Sequence, residues 1–259
     1  MSNQTKKVIA SESAHWYTKT GEPCYEVENK SNGGMRPTTL RDAKKLDLVP
    51  SVTSILQILS RPGLEAWKQN QILLSAATSP YLASWIGADK WAELVLADAQ
   101  EQAEKARQLG TDIHTAIEKS LQSGSTSGDY EAYIKPVIFE MLDRNLLVGM
   151  KTEHSFAHPI GFGGKIDFHN DTVLIDFKTK EFTKEDLAGK KKLAWDEMCW
   201  QLAAYRFGIQ EPRLHCFNVF ISTSEPGLFS FHEWSAEELS KGLSIFLKTL
   251  ELWKIIKIS

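Results

Sequence analysis

The spacing of hydrophobic residues divides the chain into a helical first part and a mixed second part. From residue 51 to about residue 145, apolar side chains recur every three or four positions, which is typical of helices with one buried face. Ser51 is placed to cap the first helix, and Pro62-Gly63 ends it. Residues 81–121 predict one long helix, and the polar first 50 residues predict a peripheral hairpin near His15-Trp16-Tyr17.

The second part alternates between strand and helix patterns. Further along the chain, Ser235-x-x-Glu238 forms a capping box that opens a last helix. This order predicts an α/β domain on a partly antiparallel sheet, with an N-terminal hairpin and helical segment over 1–100 packed on a core over 101–259 as one structural unit. The predicted elements are strands at 150–158, 162–169 and 173–179, a helix at Trp195–Phe207, and strands at Leu214–Ser222 and Phe229–Trp234.

Composition narrows the class of protein. The 259 residues are 42% hydrophobic and 24% charged, which is ordinary for a soluble domain, and no apolar run reaches the roughly 18 residues of a membrane span. The N-terminus lacks the apolar core of a secretion signal, and Cys24, Cys199 and Cys216 lack disulfide or metal spacing, so we expect a reducing cytoplasm. The net charge of −3 gives no general support to nucleic-acid binding. A prediction of nucleic-acid binding must therefore rest on local features of the sequence.

The most informative stretch is the predicted hairpin over 162–179. A two-residue turn at Asn170-Asp171 would pair Phe168 with Val173 and place Ile166, Phe168, Val173, Ile175 and Phe177 on one buried face. Alternation then puts Asp167, Asp176 and Lys178 together on the other face, with the two carboxylates as diagonal neighbours. Two such carboxylates can converge on one hard divalent cation. The alternative is a half-exposed hairpin with solvated charges.

Two helices add pairs of polar residues with a spacing of four. His114 and Glu118 share one face of a helix, and so do Gln201 and Tyr205. Each pair alone is more typical of a structural histidine or of a polar position in a core helix. Together with the hairpin, they supply an imidazole, an amide and a phenol to the same candidate site.

In this combination and order, the residues resemble the PD-(D/E)XK nuclease superfamily, specifically its RecB-like exonuclease branch. Pro50-Ser-Val-Thr-Ser-Ile-Leu56 is also similar to segments of phage exonucleases and of the mitochondrial genome maintenance exonuclease. The resemblance implies a restriction-endonuclease-like core of helix, three-stranded antiparallel meander, helix and strand, here with an added N-terminal helical segment. It rests on Gly110-Thr-x-x-His114, Gly164-x-x-Asp167, Asp176-Phe-Lys178 and Gln201-x-x-x-Tyr205.

The resemblance also implies a chemistry. His114, Asp167, Asp176 and the backbone carbonyl of Phe177 would bind Mg²⁺ or Mn²⁺. Lys178 would orient or help deprotonate the attacking water and stabilise the phosphorane-like transition state. Gln201 and Tyr205 would hold the substrate strand and the geometry of Lys178, with Glu118 and Glu153 as optional acids nearby. The three scattered cysteines cannot supply the four-cysteine iron–sulfur cluster of some relatives, and no helicase motif is present.

A basic segment follows the last strand of the meander and is a candidate for DNA contact, the alternative being a solvated loop. Its basic residues are Lys180, Lys184, Lys190, Lys191 and Lys192. The function implied is a metal-dependent DNA exonuclease of recombination, replication or repair in a phage or bacterium, acting on single strands or duplex ends. A single-strand annealing protein or another recombination factor is a candidate partner. The alternatives are an endonuclease of the same fold, an inactive DNA-binding scaffold, or an unrelated α/β binding protein.

Overall fold

The computed structural model of the chain describes residues 15–29 and 33–258. The strands are β1 (Trp16–Tyr17), β2 (Glu26–Glu28), β3 (Met35–Pro37), β4 (Val49–Pro50), β5 (Lys151–His158), β6 (Phe162–His169), β7 (Val173–Lys180), β8 (His215–Ser222) and β9 (Phe229–Trp234). The helices are α1 (Leu40–Leu46), α2 (Val52–Leu56), α3 (Pro62–Thr78), α4 (Leu82–Ile86), α5 (Ala88–Ser123), α6 (Glu131–Asp143), α7 (Lys184–Ala188), α8 (Asp196–Gly208) and α9 (Ala236–Ile258).

Five strands form the central sheet in the order β5-β6-β7-β8-β9. Neighbouring strands are antiparallel except β7 and β8, which run parallel and are joined by the crossover through α7 and α8. The predicted mixed α/β class is therefore confirmed, and each strand predicted from residue 150 onward is present with small shifts at its ends.

The sheet is buried on both faces because its strands carry apolar residues on both sides. On one face Leu174 and Phe220 pack with Leu202 of α8 and Phe246 of α9. On the other face the strands pack against α5 and α6, where the core includes Ile113, Ile117, Val137, Ile175 and Val219. The sheet is thus a middle layer between two layers of helices.

The N-terminal residues are more deeply buried than a peripheral hairpin would be. The chain does turn back after β1, where Tyr17 bridges to Pro23, but β1 also pairs with β4. Trp16 and Tyr17 are each only 2% exposed, and the Trp16 ring packs edge-on against Trp253 of α9. The expected peripheral position is therefore wrong, because two large aromatic rings are part of the core.

The helical part also differs from the sequence prediction. The single helix predicted over 81–121 is two helices, because Gly87 between α4 and α5 adopts a left-handed φ of 86°. The second of these, α5, is 36 residues long and runs through the predicted boundary at residue 100. Helix α7 was not predicted, although Thr183 and Asp186 form a capping box at its start.

The turn between β6 and β7 lies one residue later than predicted. The strands pair as Phe168–Ile175 and His169–Leu174, so the turn residues are Asp171 and Thr172. The cause is the Asn170 side chain, whose oxygen accepts hydrogen bonds from the backbone N–H groups of Thr172 and Val173 at 2.8 Å. The predicted pairing of Phe168 with Val173 is therefore wrong. The shift of two residues preserves the sheet face of each β7 residue, and the ladder with β7 ends at Phe168, next to Asp167.

The predicted single face for five apolar residues is also wrong at one position. Phe168 packs with Ile175 on the α5 side, but Ile166 packs with Leu174 on the α8 side. The alternation breaks at Asp167, opposite Glu153 of β5, whose backbone is left-handed with a φ of 52°. This break occurs where β6 leaves β7.

One further feature concerns membranes. Over residues 15–29 and 33–258, none of the helices combines the length and the apolar character that crossing a bilayer requires.

The contact between α8 and β5 provides a test of this packing. A Cβ on Gly208 would come within 2.0 Å of the Phe156 ring. Gly208→Ala is expected to lower the free energy of unfolding by about 1–3 kcal/mol through overpacking. Phe156→Leu combined with Gly208→Ala should cost less than the sum of the two single changes, measured by urea unfolding. Additive effects would contradict the contact.

Candidate active site

The candidate site lies where β6 and β7 separate. β6 pairs with β5 along its length but with β7 only at its last two residues. At Asp167 the ladder is replaced by a side chain, whose carboxylate accepts a hydrogen bond from the Phe177 N–H at 2.9 Å. The gap is flanked by α5 on one face of the sheet and by α8 on the other. The edge of β6 that β7 leaves unpaired is bridged to Ser51 at Gly163.

Asp176 is the most buried acid of the site and is only 2% exposed. Its Oδ1 accepts hydrogen bonds from Lys178 Nζ at 2.6 Å and from Gln201 Nε2 at 3.0 Å. Its Oδ2 accepts one from Asn218 Nδ2 at 2.7 Å. A buried carboxylate requires such partners, because an unpaired buried charge costs several kcal/mol, on the order of the stability of a small domain.

Lys178 follows Asp176 by two residues and points to the same side of β7. Burial alone would lower the pKa of Lys178, and the positive charge of Arg61 acts in the same direction. The negative charges of Asp176 and Asp167 outweigh both, so the pKa of Lys178 is raised above its usual value. The ammonium group is therefore charged at neutral pH, which suits it to stabilise an anion and not to act as a free base.

Gln201 and Tyr205 lie one turn apart on α8 and are joined to each other. Gln201 Nε2 donates to the Tyr205 hydroxyl at 3.0 Å as well as to Asp176. The Tyr205 ring fits over β6 because Gly164 has no side chain, and a Cβ there would come within 2.7 Å of the ring. Burial, with the charges of Asp176 and Asp167, raises the pKa of Tyr205 well above its usual value, so this phenol is neutral.

His114 approaches the gap from α5. Gly110, one turn earlier, lets the helix pack closely on β7, since a Cβ there would lie 2.8 Å from the Thr179 hydroxyl. His114 Nδ1 lies 3.6 Å from Asp167 Oδ2, and the ring hydrogen-bonds to the backbone of Phe177. Burial and the charge of Lys178 lower the pKa of His114, which keeps the imidazole neutral.

Asp167 has no lysine or arginine hydrogen-bonded to its carboxylate among the described residues. Burial and the neighbouring charge of Asp176 raise the pKa of Asp167 to about 7. The charge of Lys178 and the Phe177 N–H act in the opposite direction but do not cancel these effects. The ionised form of Asp167 is therefore short of positive charge in the folded protein.

Two optional acids of the sequence analysis lie on the β5 side of the gap. Glu153 forms an ion pair with Lys165 of β6, and its charge acts on both Asp167 and His114. Glu118 accepts a hydrogen bond from Gln122 at 3.1 Å, and its charge reaches Lys165. Glu153 thus acts directly on Asp167 and His114, whereas the charge of Glu118 acts on Lys165, the ion-pair partner of Glu153.

The basic segment is only partly a solvated surface. Lys180 Nζ donates to the Leu193 carbonyl at 2.5 Å and lies over the Phe220 ring, and burial lowers the pKa of Lys180 to about 8. Lys191 pairs with Asp186 at 2.9 Å, and Lys192 lies over the Trp195 ring. Lys191 and Lys192 are nevertheless exposed, as are the two remaining lysines, Lys184 and Lys190. DNA contact by these five lysines stays a prediction.

Sequence reasoning missed Asn218, which completes the shell around Asp176. Asn218 is fully buried in β8 and accepts a hydrogen bond from Trp234 Nε1 at 2.8 Å while donating to Asp176. The parallel register sets Asn218 directly beside Asp176. A lone amide inside the apolar run Cys216–Ile221 was the available signal, but the partner strand of that run was not evident from local sequence.

The donor chemistry of the site fits a hard divalent cation. A carboxylate short of positive charge faces a neutral imidazole 3.6 Å away, and both are forms that bind metal. In the described part of the chain, however, no three His, Cys, Asp or Glu side chains are gathered into a ready metal cluster. Asp176 is instead oriented by Lys178, Gln201 and Asn218.

Comparisons with known proteins give only remote similarities. No protein-family profile matches the chain, and no curated protein matches it. Among solved structures, the alkaline exonuclease LHK-Exo from Laribacter hongkongensis is 20% identical with a TM-score of 0.29, over 57% of this chain and 86% of that one.

Two more solved structures give similar values. LHK-Exo in complex with dAMP is 19% identical with a TM-score of 0.27, over 57% of this chain and 86% of that one. A protein designated SSO0001 is 13% identical with a TM-score of 0.26, over 55% of this chain and 86% of that one. Similarities this remote carry no argument about function, which must come from the side chains of the site.

The raised pKa of Asp167 predicts a pH-dependent stability in EDTA. Because the pKa of this acid is higher in the folded protein than its ordinary value of about 3.9, folding favours protonated Asp167. That contribution is complete below about pH 4 and is lost as the pH rises through about 7, costing about 2–4 kcal/mol in total. Asp167→Asn should remove this part of the pH dependence, measured by urea unfolding from pH 4.5 to 8.5.

The exposed Asp129→Asn serves as the matched control and should follow the wild-type curve. Parallel curves for wild type and Asp167→Asn would show that the Asp167 carboxyl is not destabilised by its surroundings.

Proposed function

We propose that this protein is a metal-dependent DNA exonuclease of the PD-(D/E)XK superfamily, in its RecB-like branch. We infer a role in recombination, replication or repair in the cytoplasm of a bacterium or a phage-infected host. One observation carries the proposal, namely the buried Asp176 hydrogen-bonded to Lys178 and Gln201, with the Asp167 carboxylate bound to the N–H of the next residue, Phe177. An acid, a lysine and a second acid at one break in a sheet form an arrangement suited to phosphodiester hydrolysis.

The order of elements supports the same proposal. Helix α5 is followed by α6, the antiparallel meander β5-β6-β7, helix α8 and the parallel strand β8. The resemblance implies this arrangement of helix, meander, helix and strand, with the motif residues on these elements. Lys178 lies next to Asp176 on β7, and Gln201 approaches from α8.

The cation would be held by Asp167, Asp176, His114 and the Phe177 carbonyl. When bound, Mg²⁺ or Mn²⁺ would make a water nucleophilic at neutral pH and offset the charge that develops on the phosphate. The imidazole favours Mn²⁺ more than an all-oxygen site would. Asp167 gains most from the cation, because it is the acid whose ionised form lacks a positive partner.

The remaining residues position the reacting groups. Lys178 is charged and would donate hydrogen bonds to the attacking water and to a phosphate oxygen. Gln201 donates hydrogen bonds to both the Asp176 carboxylate and the Tyr205 hydroxyl, and Asn218 donates one to the other oxygen of Asp176. Tyr205 is neutral and can donate a hydrogen bond to the substrate strand.

Cleavage of labelled DNA tests the proposal. Wild-type protein is incubated with end-labelled single-stranded, duplex and closed circular DNA in Mn²⁺, Mg²⁺ or EDTA. We expect linear DNA to be degraded only with metal and circular DNA to survive. Lys178→Ala should lower the rate at least ~100-fold by removing charge stabilisation, while DNA binding is retained.

Lys241→Ala, an exposed change on α9, is the matched lysine control and should cleave as wild type does. Cutting of circles would indicate an endonuclease of the same fold, and binding without cleavage would indicate an inactive scaffold. If the wild type neither binds nor cleaves DNA, the protein is not a nuclease.

A further inference from the structure

Arg61 is a cation near the site that the proposed mechanism does not use. It stands at the junction of the helical segment and the core, after α2 and immediately before α3. The start of α3 is docked on the core, because Gly63 lies against the Trp195 ring, where a Cβ would come within 2.8 Å. Helix α2 is anchored by the fully buried Val52 and Ile55. The Arg61 backbone is therefore held in place relative to the sheet.

The donors of the Arg61 guanidinium are poorly satisfied within the protein. Its Nε is buried and has no hydrogen-bond partner in the described part of the chain. Within residues 15–29 and 33–258, the one acceptor that its Nη2 reaches is the Thr53 carbonyl, at 3.5 Å. Leaving a buried donor without a partner costs on the order of 1–3 kcal/mol, so the Nε of the half-buried Arg61 favours an acceptor supplied by water or by a bound ligand.

A like charge lies in the neighbourhood of Arg61. Its positive charge acts on Lys178, which is itself bound to Asp176. No carboxylate forms an ion pair with Arg61 among the described ion pairs. Two neighbouring cations, one immediately before α3 and one on β7, favour an anion that both can contact. The guanidinium has the planar fork of donors that matches two oxygens of a phosphate.

We propose that Arg61 binds a phosphate group of the substrate strand beside Lys178. This inference rests on the proposed nuclease function and adds a substrate-binding residue from the helical segment to it. The phosphate is either the terminal group of the strand or an internal phosphodiester, and both present the same pair of oxygens to the guanidinium.

Binding without cleavage separates this role from catalysis. The probes are fluorescein-labelled single-stranded 12-mers with a 5′-phosphate, a 3′-phosphate or hydroxyl groups at both ends, titrated in EDTA over 50–300 mM salt. Arg61→Gln is expected to weaken binding about 10-fold or more and to make the slope of log Kd against log salt shallower by about 0.7. A loss confined to one phosphorylated end identifies a terminal phosphate, and an equal loss on all three identifies an internal one.

Two further variants keep the test decisive. Arg61→Lys retains the charge but not the fork, so the salt slope should persist while binding weakens, even if Arg61→Gln fails to fold. Arg213→Gln is the arginine control and should bind as wild type, since it lies before β8, at the opposite end of the parallel pair from Lys178. The stability of each Arg61 variant is first compared with that of wild type by urea unfolding, and only folded variants are titrated.

The outcomes distinguish this inference from the function it rests on. Wild-type affinity and salt slope in both Arg61 variants, with metal-dependent cleavage intact, would overturn the role of Arg61 and leave the nuclease proposal standing. If wild-type protein shows neither binding nor cleavage, the nuclease proposal and the role of Arg61 are overturned together.

Discussion

The burial of the Asp176 carboxylate is the constraint on which the site depends. A charge that is 2% exposed in the middle of a sheet must be matched by donors, and here they come from β7 itself, from α8 and from β8. Lys178, Gln201 and Asn218 each answer this need, and Trp234 in turn holds Asn218. Because these partners come from three elements, the register of β7 with β8 and the docking of α8 are tied to one side chain.

The second constraint is the separation of β6 from β7. Because the strands separate, the Phe177 N–H donates its hydrogen bond to the Asp167 carboxylate and not to the backbone of β6. The separation also opens a gap, which His114 enters from α5. Three small residues allow this arrangement. Gly110 brings α5 close to β7, Gly164 admits the Tyr205 ring, and Gly163 lies against Tyr17. The glycines of the sequence motifs thus act through packing, while the charged residues set the electrostatics, which leave Asp167 short of positive charge.

The sequence predicted those parts of the structure that depend on local periodicity. Spacing of four along a helix identified Gln201 with Tyr205, and strand alternation placed Asp176 with Lys178. It did not locate the turn, because the Asn170 side chain caps Thr172 and also donates to the distant Leu146 carbonyl. It missed Asn218, whose role depends on pairing with Asp176, 42 residues earlier in the chain. It placed Ile166 on the wrong face, because strand alternation assumes regular backbone and the backbone of Glu153, opposite the break, is left-handed.

The central claim is that the two aspartates and His114 form a site whose charge is completed by one divalent cation. Calorimetric titration with Mn²⁺ near pH 6.5, in two buffers of different ionisation enthalpy, tests this directly. Because the pKa of Asp167 is raised to about 7, binding should release a fraction of a proton per Mn²⁺. Asp167→Asn should weaken binding at least ~10-fold and abolish that release. Equal Mn²⁺ affinity in wild type and Asp167→Asn, or no binding at all, would contradict the account.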